Sequence, residues 1–154
     1  MKRILYVVPD FYPHTSGYAN ACVNFIYGIA APGFDFHILS FHPVELPRPQ
    51  PGISLHVIAN KPAPAMDEAI DRELAGRWDA VIFETFENAD IHNHLLDRLD
   101  VEPGAVAVRI HAATETELYV SRRSAYYDQQ FLEAKRLARR VQSIWSTTDY
   151  YLDF

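Results

Sequence analysis

The hydrophobic positions of the chain form short continuous runs, and stretches with helical periodicity lie between several of them. Apolar, β-branched and aromatic residues predict six strands, at 4–8, 36–41, 54–59, 80–83, 105–110 and 143–146. Most of these runs are continuous and do not alternate with polar residues. We therefore expect strands that are covered on both faces of a sheet.

Apolar residues at i, i+3, i+4 and i+7 spacing predict four helices between these strands. The patterns cover 18–30, about 66–74, the segment from Ile91 to Leu99, and 127–141. We expect Pro32-Gly33 to end the first helix and Asn88 or Asp90 to cap the third. Strands that alternate with helices predict an α/β fold, namely a doubly wound, mainly parallel Rossmann-like sheet with helices on both faces.

The length, composition and net charge of the chain favour one soluble domain that spans 1–154. The 154 residues carry a net charge of −6, with 49% hydrophobic and 22% charged residues, which argues against a nucleic-acid-binding protein. No stretch is long and apolar enough to be a signal peptide or a transmembrane span, so a cytoplasmic location is the default expectation. The single cysteine, Cys22, lies in the apolar stripe of the first helix and is expected in the core.

Polar residues follow three of the predicted strands, in the segments 10–17, 84–88 and 111–117. In a doubly wound sheet the carboxyl ends of these strands meet at the point where the strand order reverses, and ligands bind there. The candidate binding residues are Asp10, His14, Ser16, Gly17, Glu84, Thr85, Thr114 and Glu115, and the candidate catalytic residue is His111.

Three of these candidates have a structural alternative. Gly17 would let a phosphate approach the backbone at a helix start, or would serve only the turn. Glu84 would orient a substrate hydroxyl, or would be a solvated carboxylate at a strand end. His111 would polarise a substrate group, or would be a structural histidine at the edge of the sheet.

Dinucleotide and metal sites are not expected. The first strand is not followed by G-x-G-x-x-G, and the sequence has no Walker-type loop. The segment His92-Asn93-His94 looks like a metal ligand pair, but side chains at i and i+2 of a helix point apart. We therefore predict that this segment lies on the surface, and we expect no metal site.

Four segments resemble the N-terminal domain of retaining GT-B glycosyltransferases of family four. The segment 4–19 is similar to their first strand, "P-x-x-G-G" loop and amphipathic helix, and 79–83 is similar to their "D-V-V-H" strand. The segment 107–112 resembles their hydrophobic strand followed by "H-G", and 144–152 resembles "V-S-x-x-x-x-D-x-L". The resemblance covers most of the chain in order.

The resemblance implies a carbohydrate or glycolipid acceptor on this domain and a nucleotide-sugar donor held mainly by a C-terminal domain with an E-x7-E element. That domain is not part of this sequence, and 147–154 resembles the start of a further helix, so we expect a longer protein and an isolated chain without activity. The backbone of Gly17 would contact the donor phosphates, and His111 would contact the transferred sugar. Ser16 and Ala112 stand where the family has glycines.

No cofactor is expected on this domain itself, and the resemblance is compatible with peripheral contact with a membrane. Two alternatives remain open from the sequence. One is a stand-alone flavodoxin-like α/β module that binds or regulates without transfer chemistry. The other is half of a sugar-nucleotide epimerase, which shares the two-domain architecture.

Overall fold

The computed structural model describes residues 1–58, 63–86, 88–110 and 125–146, and these form eight strands and four helices. The strands are β1 (Lys2–Val8), β2 (Phe34–Ser40), β3 (Ile53–Val57), β4 (Arg77–Trp78), β5 (Ala80–Phe83), β6 (Asp100–Val101), β7 (Val106–Ile110) and β8 (Ser143–Ser146). The helices are α1 (Gly17–Ile29), α2 (Ala63–Glu73), α3 (Ala89–Arg98) and α4 (Ala125–Ala138). All six predicted strands and all four predicted helices are confirmed, with shifts of a few residues at their ends.

Six strands form one parallel sheet in the order β3-β2-β1-β5-β7-β8. Without the two short strands β4 and β6, this is the Rossmann order 3-2-1-4-5-6, which differs from the flavodoxin order 2-1-3-4-5. The order reverses between β1 and β5, so the carboxyl ends of these two strands flank the switch point. The carboxyl end of β7 lies beside that of β5 at the same edge.

The sheet has a hydrophobic core on each face, as the predicted fold class requires. On one face Tyr6, Ile38 and Ile82 pack with α1, whose apolar stripe contributes Cys22 and Ile26. On the other face, strand residues pack with α2, α3 and α4, which contribute Ile70, Leu95, Leu137 and their neighbours. The prediction that Cys22 is a core residue is confirmed, because it is fully buried.

A two-stranded parallel sheet of β4 and β6 was not predicted. Each strand has two residues, too few for a periodic pattern, and a single residue separates β4 from β5. Trp78 anchors this sheet: its indole N–H donates to the carbonyl of Leu74 at 3.0 Å, and Arg3 lies 4.2 Å from the ring centroid.

The prediction that a side chain caps the third helix is wrong for Asn88. Asn88 occupies the N-cap position of α3, but its φ is 57° and its side chain makes no capping hydrogen bond. Asparagine tolerates this left-handed backbone conformation better than most residues. Asp90 lies inside the first turn, where a carboxylate suits the positive end of the helix dipole.

Candidate functional site

The loop between β1 and α1 brings Asp10, His14 and Ser16 together at the switch point. The hydroxyl of Ser16 accepts a hydrogen bond from the backbone N–H of Ala19 at 3.0 Å and caps α1. Asp10 accepts hydrogen bonds from the hydroxyl of Ser16 and, at 3.0 Å, from the backbone N–H of Phe11. His14 Nδ1 lies 3.9 Å from the Asp10 carboxylate. The buried ring of Phe11 fixes this polar loop to the core.

Gly17 begins α1, and neither its conformation nor its surroundings require a glycine. Its φ lies outside the left-handed region, and a Cβ atom built on it would meet no atom within 4 Å. The alternative in which glycine serves only the turn therefore has no conformational basis. The first turn of a helix also leaves backbone N–H groups without intrahelical partners, and α1 has no acidic residue in its first turn. The start of α1 is exposed, and the Asp10 carboxylate lies beside it, bonded to the N-cap residue Ser16.

Glu84 and Thr85 follow β5 directly, and both are buried at the other side of the switch point. The backbone N–H of Glu84 donates to the carbonyl of Val7 at 3.1 Å, which extends the pairing between β5 and β1. Glu84 has no exposed surface, so the alternative of a solvated carboxylate at a strand end is wrong.

The carboxylate of Glu84 belongs to a buried cluster with Tyr6 and Arg109. The phenol of Tyr6 donates to Glu84 Oε2, and Arg109 Nη1 lies 3.4 Å from Glu84 Oε1 and donates to the Tyr6 oxygen at 3.2 Å. The guanidinium of Arg109 also stacks on Phe25, with 4.0 Å between Cζ and the ring centroid. Burial, together with the nearby Cys22 and Glu84, raises the pKa of Tyr6, so the phenol keeps its proton.

The same environment raises the pKa of the Cys22 thiol, mainly through burial and also through the charge of Glu84. Cys22 therefore stays protonated near neutral pH and is a poor nucleophile. The cluster places an ion pair beneath the carboxyl edge, where it fixes β1, β5 and β7 to one another.

The third predicted segment begins where β7 ends, at Ile110. His111, Thr114 and Glu115 lie outside the described residues, so their proposed roles remain predictions. The structure confirms that the carboxyl ends of β1, β5 and β7 are neighbours at one edge.

The prediction that His92-Asn93-His94 lies on the surface is wrong for two of its three residues. His92 is 5% exposed and Asn93 is fully buried, whereas 44% of the His94 side chain is exposed. The side chains do diverge, but α3 is covered on two sides. The His92 ring stacks on Phe83 of β5 with 4.4 Å between centroids, and Asn93 Nδ2 donates to Glu133 of α4 at 2.9 Å.

A signal for the burial of His92 was present in the sequence. It lies three positions after Ala89 and four before Leu96, and so shares the apolar face of the helix. The residue also lines a cavity of about 270 Å³ at the carboxyl ends of β1 and β2, which sequence patterns did not predict.

Three further histidines show no metal-site geometry. His37 Nδ1 lies 2.9 Å from His56 Nε2 across neighbouring strands, and His37 Nε2 lies 3.0 Å from Asp35. His42 is exposed beside the cavity. Within 1–58, 63–86, 88–110 and 125–146, no group of three His, Cys, Asp or Glu residues is placed to hold a metal ion. None of the helices described there has the length and apolar character needed to cross a bilayer.

Comparison with known proteins gives no relative from which a role can be transferred. No protein-family model matches the sequence, and no curated protein or solved structure is similar enough to count as a match. The fold class follows from the architecture itself: this chain is an α/β protein with a mostly parallel, Rossmann-like six-stranded sheet.

Proposed function

We propose that the chain is the acceptor-binding N-terminal domain of a retaining, nucleotide-sugar-dependent glycosyltransferase with GT-B architecture. The segments that resemble this family begin with the β1 strand, its loop and α1. The observation that carries the proposal is Gly17, an exposed glycine at the start of α1 that the fold itself does not require. Glycine at this position lets a ligand approach the backbone more closely than any side chain would allow.

The chemistry of the loop suits a sugar substrate. The Asp10 carboxylate can accept hydrogen bonds from sugar hydroxyls in addition to those from Ser16 and Phe11. The start of α1 favours negative charge, such as that of donor phosphates, because its backbone dipoles point their positive ends outward. In the reaction, the bond between the sugar and the diphosphate breaks, and a bond to an acceptor hydroxyl forms with release of the hydroxyl proton. His111 would lie near the sugar that is transferred.

The strand order favours this proposal over the stand-alone module. A flavodoxin-like protein has the order 2-1-3-4-5, whereas the observed order is the Rossmann order 3-2-1-4-5-6. Half of a sugar-nucleotide epimerase has the same architecture, so the order does not separate that alternative.

The test is a transfer assay on the protein made from the complete reading frame that contains this sequence. A panel of nucleotide sugars is incubated with free sugars and glycolipid acceptors, and released nucleoside diphosphate and the anomeric form of the product are measured. We expect acceptor-dependent release with retention of configuration, and no turnover by residues 1–154 alone, because transfer needs both domains to enclose the substrates.

Each rival has its own result in this assay. Interconversion of the nucleotide sugar without an acceptor would identify an epimerase. Binding of a ligand with no turnover by the complete protein would identify a module. Rapid transfer by residues 1–154 alone would contradict the proposed division of labour between two domains.

A further inference from the structure

A row of hydrogen-bonding side chains crosses the outer part of the sheet on the side of α2. It joins Asp35 and His37 of β2 to His56 of β3. His37 Nε2 lies 3.0 Å from Asp35 Oδ2, and His37 Nδ1 lies 2.9 Å from His56 Nε2. The other ring nitrogen of His56, Nδ1, lies 3.9 Å from the carboxylate of Glu73 in α2. Two imidazole rings are therefore joined to each other and lie between two carboxylates.

Both rings are held in place by their surroundings. The side chains of His37 and His56 are only 13% and 17% exposed. The His37 ring is nearly perpendicular to the ring of Trp78, with 4.9 Å between the centroids. The guanidinium of Arg3 lies 4.2 Å from the centroid of the same tryptophan ring. The rings therefore exchange protons while their nitrogens keep their neighbours.

These neighbours determine where the protons lie when both rings are neutral. An ionised carboxylate only accepts hydrogen bonds, so the single proton of His37 lies on Nε2 and points at Asp35. His37 Nδ1 is then an acceptor, and His56 Nε2 must donate to it. The network therefore predicts that both neutral rings are Nε2–H tautomers, with the unprotonated Nδ1 atom of His56 on the side of Glu73.

This arrangement accepts one further proton but not two. A proton on His56 Nδ1 points towards the Glu73 carboxylate and leaves the bond between the rings intact. A second proton would have to bind His37 Nδ1, where it would meet the N–H of His56 across 2.9 Å. Two charged imidazoles are donors only, and their like charges repel. The doubly charged pair must therefore separate.

The charges around the rings oppose protonation of the folded pair. Burial lowers the pKa of His56 from its ordinary value of 6.5, and the neighbouring His37 lowers it further. Glu73 raises this pKa, and Arg3 lowers it. Glu73 also forms an ion pair with Arg72 at 2.9 Å, which balances part of its charge. Because the pKa of His56 is lower in the folded chain, acid weakens the contact between the rings.

We propose that His37 and His56 form a proton-operated latch that ties β3 to β2, and that the second proton on this histidine latch opens it. β3 is the outermost strand of the six-stranded sheet and pairs there with β2. Ile58, which follows β3, donates its N–H to the carbonyl of Ser40 at 3.0 Å and lines the cavity at the carboxyl edge. Acid therefore loosens one wall of the edge at which the candidate site lies.

The test is amide hydrogen exchange of β3 in the 154-residue chain, followed by NMR from about pH 7.5 to about pH 5 and corrected for the intrinsic effect of pH on exchange. Below pH 6.5 two solvated histidines bind two extra protons, whereas the closed latch holds one. Opening thus takes up one proton. We expect the opening constant of β3 to rise by up to about tenfold per pH unit in this range.

Two variants separate the latch from ordinary acid unfolding. In His56→Gln the side-chain amide can still donate to His37 but binds no proton, so the acid-induced rise in β3 exchange disappears. The matched control is His94→Gln. His94 pairs with the carboxylate of Asp67 in α2 at 2.7 Å instead of with a second histidine, so this variant keeps the rise.

The nitrogen chemical shifts of the imidazole rings provide a second readout on the unchanged chain, which keeps the test decisive if His56→Gln does not fold. At about pH 8 both rings should be Nε2–H tautomers, and on acidification the second proton should bind as β3 opens. Three results would overturn the inference: an Nδ1–H tautomer of His37, the same pH dependence of β3 exchange in His56→Gln, or two charged rings while β3 stays protected.

Discussion

Two buried polar groups lie on opposite faces of the sheet, and they are held in different ways: Glu84 lies in an ion pair with Arg109, whereas the His92 ring stacks on Phe83. On the α1 face, Glu84 contacts Tyr6 and Arg109, and the cluster is enclosed by the core. On the other face, His92 is almost as deeply buried, but its Nδ1 atom lacks a hydrogen bond. Both residues lie near the point where the strand order reverses: Glu84 directly follows β5, and His92 is in α3. The difference separates a charged group that an ion pair holds from a titratable group that burial keeps neutral.

The largest expected effect comes from breaking the paired group. Arg109→Met removes a cation that lies 3.4 Å from the buried carboxylate of Glu84. We expect the free energy of unfolding to fall by about 3–5 kcal/mol, the usual effect of removing one partner of a buried ion pair. Denaturant titration of the purified chain measures it.

Lys2→Met is the control for this experiment. It breaks an ion pair with Asp79 in which 67% of the lysine side chain and 34% of the aspartate side chain are exposed. Water screens such pairs, so the control should change stability far less. Equal losses for the two variants would show that the cluster around Glu84 does not hold the fold.

The second prediction concerns acid. The folded-state pKa of His92, about 3, lies below its ordinary value of 6.5, so the unfolded chain binds a proton that the folded chain excludes. The contribution of His92 to stability is complete above pH 6.5 and is lost as the pH falls towards 3. The loss approaches about 1.4 kcal/mol per pH unit between these values. His92→Phe should remove this part of the slope and leave stability at pH 7 equal or slightly higher, because no hydrogen bond is lost.

Stability curves between pH 7 and pH 4 check this prediction. The carboxyl groups of Asp67 and Asp79 have a lowered pKa, through hydrogen bonds from His94 and Lys2 respectively, and so titrate below 3.8. His56 also has a lowered pKa, caused mainly by burial, and contributes to the slope of both proteins. Identical slopes for the chain and for His92→Phe would show that His92 is not excluded from protonation by the fold.

The sequence predicted the elements well because their signals are local. Continuous apolar runs define the six strands of the main sheet, and i, i+3, i+4 spacing defines the helices. The two buried polar groups depend instead on contacts between distant parts of the chain. Tyr6 lies 78 positions from Glu84 and 103 from Arg109, and only the parallel strand order brings them together.

The candidate site was predicted in part for the same reason. Asp10, His14 and Ser16 are close in sequence, and their shared loop follows from a strand, a cap and a helix start. The burial of Glu84 could not be deduced from its position at a strand end, because burial depends on which residues of neighbouring strands face it. His92 was misjudged because the i, i+2 spacing of the two histidines bears on metal binding and not on burial, whereas Ala89 and Leu96 place His92 on the apolar face of α3.

The smallest expected effect on stability comes from replacing either of two glycines of α1 by alanine. Gly17 and Gly28 are both exposed, and a Cβ atom on either would meet no atom within 4 Å. Gly28 is the last residue but one of α1, so Gly28→Ala should raise the free energy of unfolding by less than the roughly 1 kcal/mol expected at the middle of a helix. Gly17→Ala should leave stability unchanged or slightly raised. The two variants therefore fold alike and differ only in where the new methyl group lies.

The most direct test of the account is kcat/KM for the nucleotide sugar in these two variants of the full-length protein. If the start of α1 receives the substrate, Gly17→Ala lowers kcat/KM about tenfold or more, because the methyl group holds the ligand away from the backbone. Gly28→Ala leaves kcat/KM unchanged. Equal kcat/KM in both variants and in the unchanged protein would contradict the assignment of the α1 start as the substrate site.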